Sequence, residues 1–206
     1  CSRSTNRFAF CFCIFHTRLH PLRYYISFHF RKSREKAEKN IQKNQKLLIE
    51  AFSKVHSNHP DYKLIIYGEG NLRGELTQMV DSLNLSDFVF LPGTQKNIGD
   101  IIRSKSIFVF SSDYEGLPNA LIEAMAIGLP CVATDCTPGG ARMLINNHEN
   151  GILIPCNNVE QMVIAINELI TNPDLANKLG RNATSIRSKI ECNVIAQQGI
   201  SYLENK

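Results

Sequence analysis

Residues 107–134 read IFVFSSDYEGLPNALIEAMAIGLPCVAT, and the order of textures in this stretch decides the fold. Ile107 to Phe110 is a short, continuous apolar run. Pro118 to Ile127 is long enough for a helix, and a proline suits the first helical turn because its missing N–H leaves nothing unpaired there. Cys131 to Thr134 is apolar again. Strands that are apolar throughout, joined through helices, belong to parallel sheets covered on both faces.

The same alternation extends in both directions. Upstream, Leu47, Leu48, Ala51, Phe52 and Val55 recur at helical spacing, Lys63 to Tyr67 reads as a buried strand, and Leu72 to Leu83 gives a second amphipathic helix. Phe88 to Leu91 is the next strand and Ile98 to Arg103 the next helix. Downstream, Ile152 to Ile154 is a last strand, with closing helices from Val159 to Ile170 and from Pro173 onward; Asn157 or Asn158 is placed to cap the first of these. The pattern predicts an α/β fold, a doubly wound parallel sheet of Rossmann type.

The chain has 206 residues, 43% of them hydrophobic, enough for one substantial domain. Its formal charge is +4, but residues 1–34 hold seven Lys and Arg and no acid, leaving 16 basic against 19 acidic residues in the remainder. A basic patch on the folded body is therefore not indicated, and nucleic acid is not an expected partner. No glycine occurs before Gly68, and six of the eleven phenylalanines precede residue 31. On that composition residues 1–36 are read as a leader outside the domain, of the kind a truncated or frame-shifted upstream region would encode, and residues 37–206 as the domain. Phe8 to Phe15 is too short to span a bilayer. The seven cysteines form no CxxC pair and no finger spacing, so they are expected to be buried thiols of a reducing compartment.

Ligands of open α/β sheets bind beyond the carboxyl ends of the strands. Three loops there are informative. Gly68-Glu69-Gly70 either lets backbone approach a ligand or makes a tight turn. The loop Ser111 to Asn119 leads into a helix N-terminus beside Gly116, an arrangement suited to a diphosphate. Glu115 and Glu123 flank it, the latter about 7.5 Å along the helix axis, a reach matching phosphate to ribose; otherwise Glu115 is a solvated charge complementing the helix dipole and Glu123 lies at the edge of a buried stripe. Thr137-Pro138-Gly139-Gly140 either closes over a sugar or needs positive φ angles.

The run from Glu115 to Pro130 (EGLPNALIEAMAIGLP) resembles the signature of the retaining GT-B glycosyltransferases of the group 1 family. So do Gln42-Lys43-Asn44, Tyr67 to Gly70, Phe90 to Gly93, and Asn150 to Pro155. The resemblance covers roughly residues 40 to 205. It implies the C-terminal, donor-binding half of a GT-B enzyme. Glu115 would hold hydroxyls of the donor sugar, Glu123 the ribose, and Gly116, Leu117 and Asn119 the diphosphate. Lys43 would offset charge on the leaving phosphate, a fixed electrostatic role that needs no metal. The base would lie near Phe90 to Gly93, Gly68 and Gly70 would belong to the donor site, and Gly139 and Gly140 match the family's glycine loop. No cofactor is implied beyond a UDP- or GDP-sugar as substrate.

Two departures stand out. Where the family has Gly-Arg-Leu before the lysine, this chain has Ala37, Glu38 and Lys39, and Met143 stands near the place of an acidic residue. The N-terminal domain that holds a glycan or lipid-linked acceptor is expected to be missing. The implied activity is retaining transfer in polysaccharide or glycolipid synthesis, in the cytoplasm or peripherally at the inner membrane face. The competing readings are an inactive nucleotide-binding remnant, a sugar-nucleotide epimerase, and a dehydrogenase; the last lacks a GxGxxG after a first strand.

Overall fold

The computed structural model describes residues 24–29, as backbone, and residues 43–189. Six strands, β1 (Tyr24–His29), β2 (Tyr62–Tyr67), β3 (Val89–Gly93), β4 (Ile107–Phe110), β5 (Cys131–Thr134) and β6 (Ile152–Ile154), form one sheet in the order β3-β2-β1-β4-β5-β6. Every pairing is parallel. The helices are α1 (Gln45–Asn58), α2 (Arg73–Ser82), α3 (Ile98–Ile102), α4 (Asn119–Ile127), α5 (Gly140–Leu144), α6 (Val159–Thr171), α7 (Pro173–Ala183) and α8 (Ile186–Lys189). From β1 the chain steps outward through β2 to β3, then returns to β4 and steps the other way to β6. With right-handed crossovers that reversal puts the helices of the two halves on opposite faces.

The leader assignment is corrected at one place. Tyr24–His29 lies inside the domain as a central strand, paired with β2 from Tyr24↔Tyr62 to His29↔Tyr67 and with β4 at Ile26↔Ile107 and Ser27↔Phe108. The run YYISFH is rich in aromatic and β-branched residues, which favour a pleated strand, and its place is set by partners far along the chain. The remainder of residues 1–36, and the departures at Ala37, Glu38 and Lys39, lie outside the described residues.

Burial explains why the apolar runs are strands. All four residues of β4 and of β5 are buried, and Phe108, Phe110 and Phe52 are among the largest enclosed side chains. Each fully buried Leu, Ile or Phe contributes roughly 1.5–3 kcal/mol over its exposed state. In α1 the residues at helical spacing face inward, and the helix lies along α6. Asn44 caps α1, its side chain accepting from the Leu47 amide at 3.3 Å, and Asn158 caps α6 through the Gln161 amide at 2.9 Å. Strand β3 extends to Pro92 and Gly93; proline is tolerated because β3 is an edge strand. Among the described residues no helix is long and apolar enough to cross a membrane.

Candidate donor site

The strand order reverses between β1 and β4, and the crevice outside their carboxyl ends is where such sheets bind ligands. Lys43 follows β1 and the loop Ser111 to Pro118 follows β4, so the two segments meet across this crevice. Lys43 Nζ donates to Glu115 Oε2, and the two side chains are only 19% and 25% exposed. Partial shielding makes this pair stronger than an exposed one.

The loop carrying Glu115 is held from both sides. Ser111 Oγ donates to the Lys43 carbonyl at 2.8 Å, Thr134 Oγ1 donates to the carbonyls of Phe110 and Ser112, and the Glu115 amide donates to Thr137 O at 3.0 Å. A β-bridge joins Tyr114 to Thr137. Gly140 lies so close to Gly116 that a Cβ on it would fall 1.7 Å from the Gly116 carbonyl oxygen. Thus Gly140 serves close approach, whereas Gly139, with φ of 106°, supplies the positive angle that starts α5. Glycines at its start hide this short helix from propensity.

Helix α4 begins at Asn119, with Pro118 at its cap position and no side chain capping the first turn. Its amide end therefore faces the loop as a partial positive charge. Leu117 and Asn119 are exposed at its mouth. Nothing lies within 4 Å of where a Cβ of Gly116 would stand.

Glu123 is placed differently from Glu115. It lines an open groove of about 530 Å³ with Arg103, Ala126, Ile127 and Arg187, where burial pushes its carboxyl up to about 7. No hydrogen bond or ion pair joins it to Lys43 or Glu115 among the described contacts. Gly68 and Gly70 line a separate, smaller pocket with Gln45, Leu72, Arg73 and Leu91. The Gly68 amide donates to Gly93 O at 2.9 Å, and the Glu69 carboxylate reaches to 2.3 Å from where a Gly93 Cβ would stand. Gly68 and Gly93 have φ of 124° and 76°. The Gly68 loop is thus a turn that also borders a pocket.

Sequence reasoning left out Asn44, Ser111, Asp113 and Asn157 as site residues. Asn44 Nδ2 donates to both Asp113 carboxylate oxygens, at 3.1 and 2.8 Å, and to Asn157 Oδ1 at 2.6 Å. The available signal was that Asn44 adjoins Lys43 and that Asp113 precedes Glu115 by two positions.

The model of the family described as Glycosyl transferases group 1 matches residues 37–186. Among curated relatives, the chain is 34% identical over 162 residues to the Campylobacter jejuni N-acetylgalactosamine-N,N'-diacetylbacillosaminyl-diphospho-undecaprenol 4-alpha-N-acetylgalactosaminyltransferase, covering 78% of this chain and 43% of the relative. It is 30% identical over 152 residues to the Escherichia coli UDP-Gal:alpha-D-GlcNAc-diphosphoundecaprenol alpha-1,3-galactosyltransferase, covering 72% and 38%. The chain therefore spans less than half the length of these relatives. Among solved structures, Anabaena HepE in complex with UDP and glucose superposes with a TM-score of 0.76 at 25% identity, over 89% of this chain and 49% of that one. The C-terminal domain of a Francisella tularensis glycosyl transferase group 1 protein shares the fold, with a TM-score of 0.66 at 23% identity over 81% and 83%.

Proposed function

Because the chain belongs to the Glycosyl transferases group 1 family and has the fold of its C-terminal GT-B domain, we propose that it binds the nucleotide-sugar donor for a retaining transfer in polysaccharide or glycolipid synthesis. The observation that carries this reading is the Lys43–Glu115 pair at the switch point, beside the uncapped start of α4. A UDP- or GDP-sugar would place its diphosphate against Lys43 and the first amides of α4. A diphosphate carries more negative charge than one carboxylate, so it displaces Glu115 from Lys43. Glu115 is then released to accept from hydroxyls of the sugar. As the bond to the anomeric carbon breaks, negative charge gathers on the departing phosphate, and Lys43 stabilises it there without reorganising.

Glu123 would accept from the ribose hydroxyls, and Gly68, Gly70 and Gly93 would flank the base. Gly139 and Gly140 brace the loop under the sugar. Both curated relatives described above are named for transfers to lipid-diphosphate-linked sugars. A lipid-linked or glycan acceptor, presented by a further domain at the inner membrane face, is accordingly the acceptor proposed. Calorimetric titration of the chain with UDP and with GDP tests the reading. One nucleotide should bind, about tenfold or more weakly in Lys43→Ala, because a charged hydrogen bond contributes roughly 1.5–3 kcal/mol. Absence of binding by both, or equal affinity in Lys43→Ala, would overturn it.

A further inference from the structure

Three loops on the carboxyl side of the sheet converge on one side chain. Asn44 sits in the turn that starts α1, Asp113 in the loop after β4, and Asn157 in the loop after β6. The Asn44 NH₂ has two hydrogens, and its contacts use both: one toward the Asp113 carboxylate at 3.1 and 2.8 Å, the other toward Asn157 Oδ1 at 2.6 Å. Its carbonyl oxygen accepts from Leu47 N at 3.3 Å. An ionised carboxylate only accepts, so the orientation of the Asn44 amide is fixed by its partners. Both asparagines are left-handed, with φ of 46° at Asn44 and 53° at Asn157, a conformation asparagine tolerates better than other side-chain-bearing residues.

The tether brackets the reacting pair. Lys43 immediately precedes Asn44, and its carbonyl is held by Ser111; Glu115 follows Asp113 by two residues. We infer that Asp113 and Asn157 are positioning residues which, by gripping Asn44, hold the lysine turn where Lys43 meets Glu115 and the donor diphosphate. Neither touches the reacting atoms. The tether also joins β6, at the far edge of the sheet, to the lysine turn, so a displacement of either loop is felt at the other. The part concerning the diphosphate rests on the donor-site reading above; the part concerning the Lys43–Glu115 contact does not.

Reversing the polarity of the bond tests this. Asn44→Asp keeps a good helix cap but sets a carboxylate against Asp113. Combining it with Asp113→Asn restores that bond in the opposite direction, while the Asn157 amide turns over so that its NH₂ donates to the new carboxylate. UDP affinity should fall about tenfold in Asn44→Asp, as for loss of a charged hydrogen bond, and return to within about threefold of the parent in the double variant. A second readout needs no ligand: the ¹³Cε NMR signal of Lys43, with Glu115→Gln as the reference for a broken pair. It should move toward the Glu115→Gln position in Asn44→Asp and return in the double variant. If Asn44 served only as a cap, Asn44→Asp would leave both readouts at parental values, and that result would overturn the inference. So would a folded double variant in which the Lys43 signal stays displaced. If the parent binds neither UDP nor GDP, the donor reading fails, while the Lys43 signal still decides the tether.

Discussion

Replacing Gly140 with alanine should separate the two glycine-bearing loops of the site. The added Cβ would stand 1.7 Å from the Gly116 carbonyl oxygen and 2.8 Å from Pro118 Cδ, where ordinary contact begins at 3.4 Å. The loops must therefore part by about 1.7 Å, and the obstacle is backbone rather than a flexible side-chain tip. Overpacking of this kind destabilises by roughly 1–3 kcal/mol, and the upper end applies here. For a chain of this length that lowers the thermal midpoint by about 6–12 °C. The displaced segment also starts α4, so UDP affinity should fall by tenfold or more, since misplacement of about 1 Å in a binding constellation is costly. Gly116→Ala is the control: nothing lies within 4 Å of its Cβ position, and its midpoint should stay within about 1 °C of the parent. Thermal melts and calorimetry on the purified variants supply both numbers. A Gly140→Ala protein that melts and binds like the parent would refute the close-approach argument.

Glu123 should make stability depend on pH. Burial in the groove raises its folded pKa from 4.5 to about 7, so between those values the folded state keeps a proton that the unfolded state has released. Stability then falls as pH rises through that window, by at most about 3 kcal/mol and nearer 1 kcal/mol after solvent screening in the open groove. Denaturant melts at pH 5 and pH 8 should show Glu123→Gln equal to the parent at the lower pH and more stable at the higher; parallel pH dependences would contradict this. Gly180→Ala should lower the thermal midpoint by several degrees, because its Cβ would lie 2.3 Å from Gly128 O where α7 crosses the end of α4. Asn158→Ala removes the cap of α6 and should lower stability by about 1 kcal/mol in a urea melt, with no effect on nucleotide affinity.

The strands at Ile107–Phe110, Cys131–Thr134 and Ile152–Ile154 were legible residue by residue, since a short apolar run bounded by polar loops has no other comfortable place than a covered parallel sheet. Strand β1 was hidden for the opposite reason. YYISFH lies in a phenylalanine-rich region without turn residues, and only its partners β2 and β4 identify it as a strand. The Lys43–Glu115 meeting follows from topology once β1 and β4 are adjacent. The tether through Asn44 was invisible to local reading, because its bonds span 69 and 113 positions. For Glu123, axial rise along the helix gives how far it lies from the helix start, whereas its groove neighbours Arg103 and Arg187 come from segments distant in sequence and could not be read from spacing.

The most direct test of the donor-site account is difference density from a crystal of the chain soaked with a UDP-sugar or GDP-sugar. The diphosphate should lie within hydrogen-bond distance of Lys43 Nζ and the first amides of α4, with Glu115 turned from the lysine to the sugar hydroxyls. A diphosphate seated instead between Arg103 and Arg187, with the Lys43–Glu115 pair intact, would contradict it.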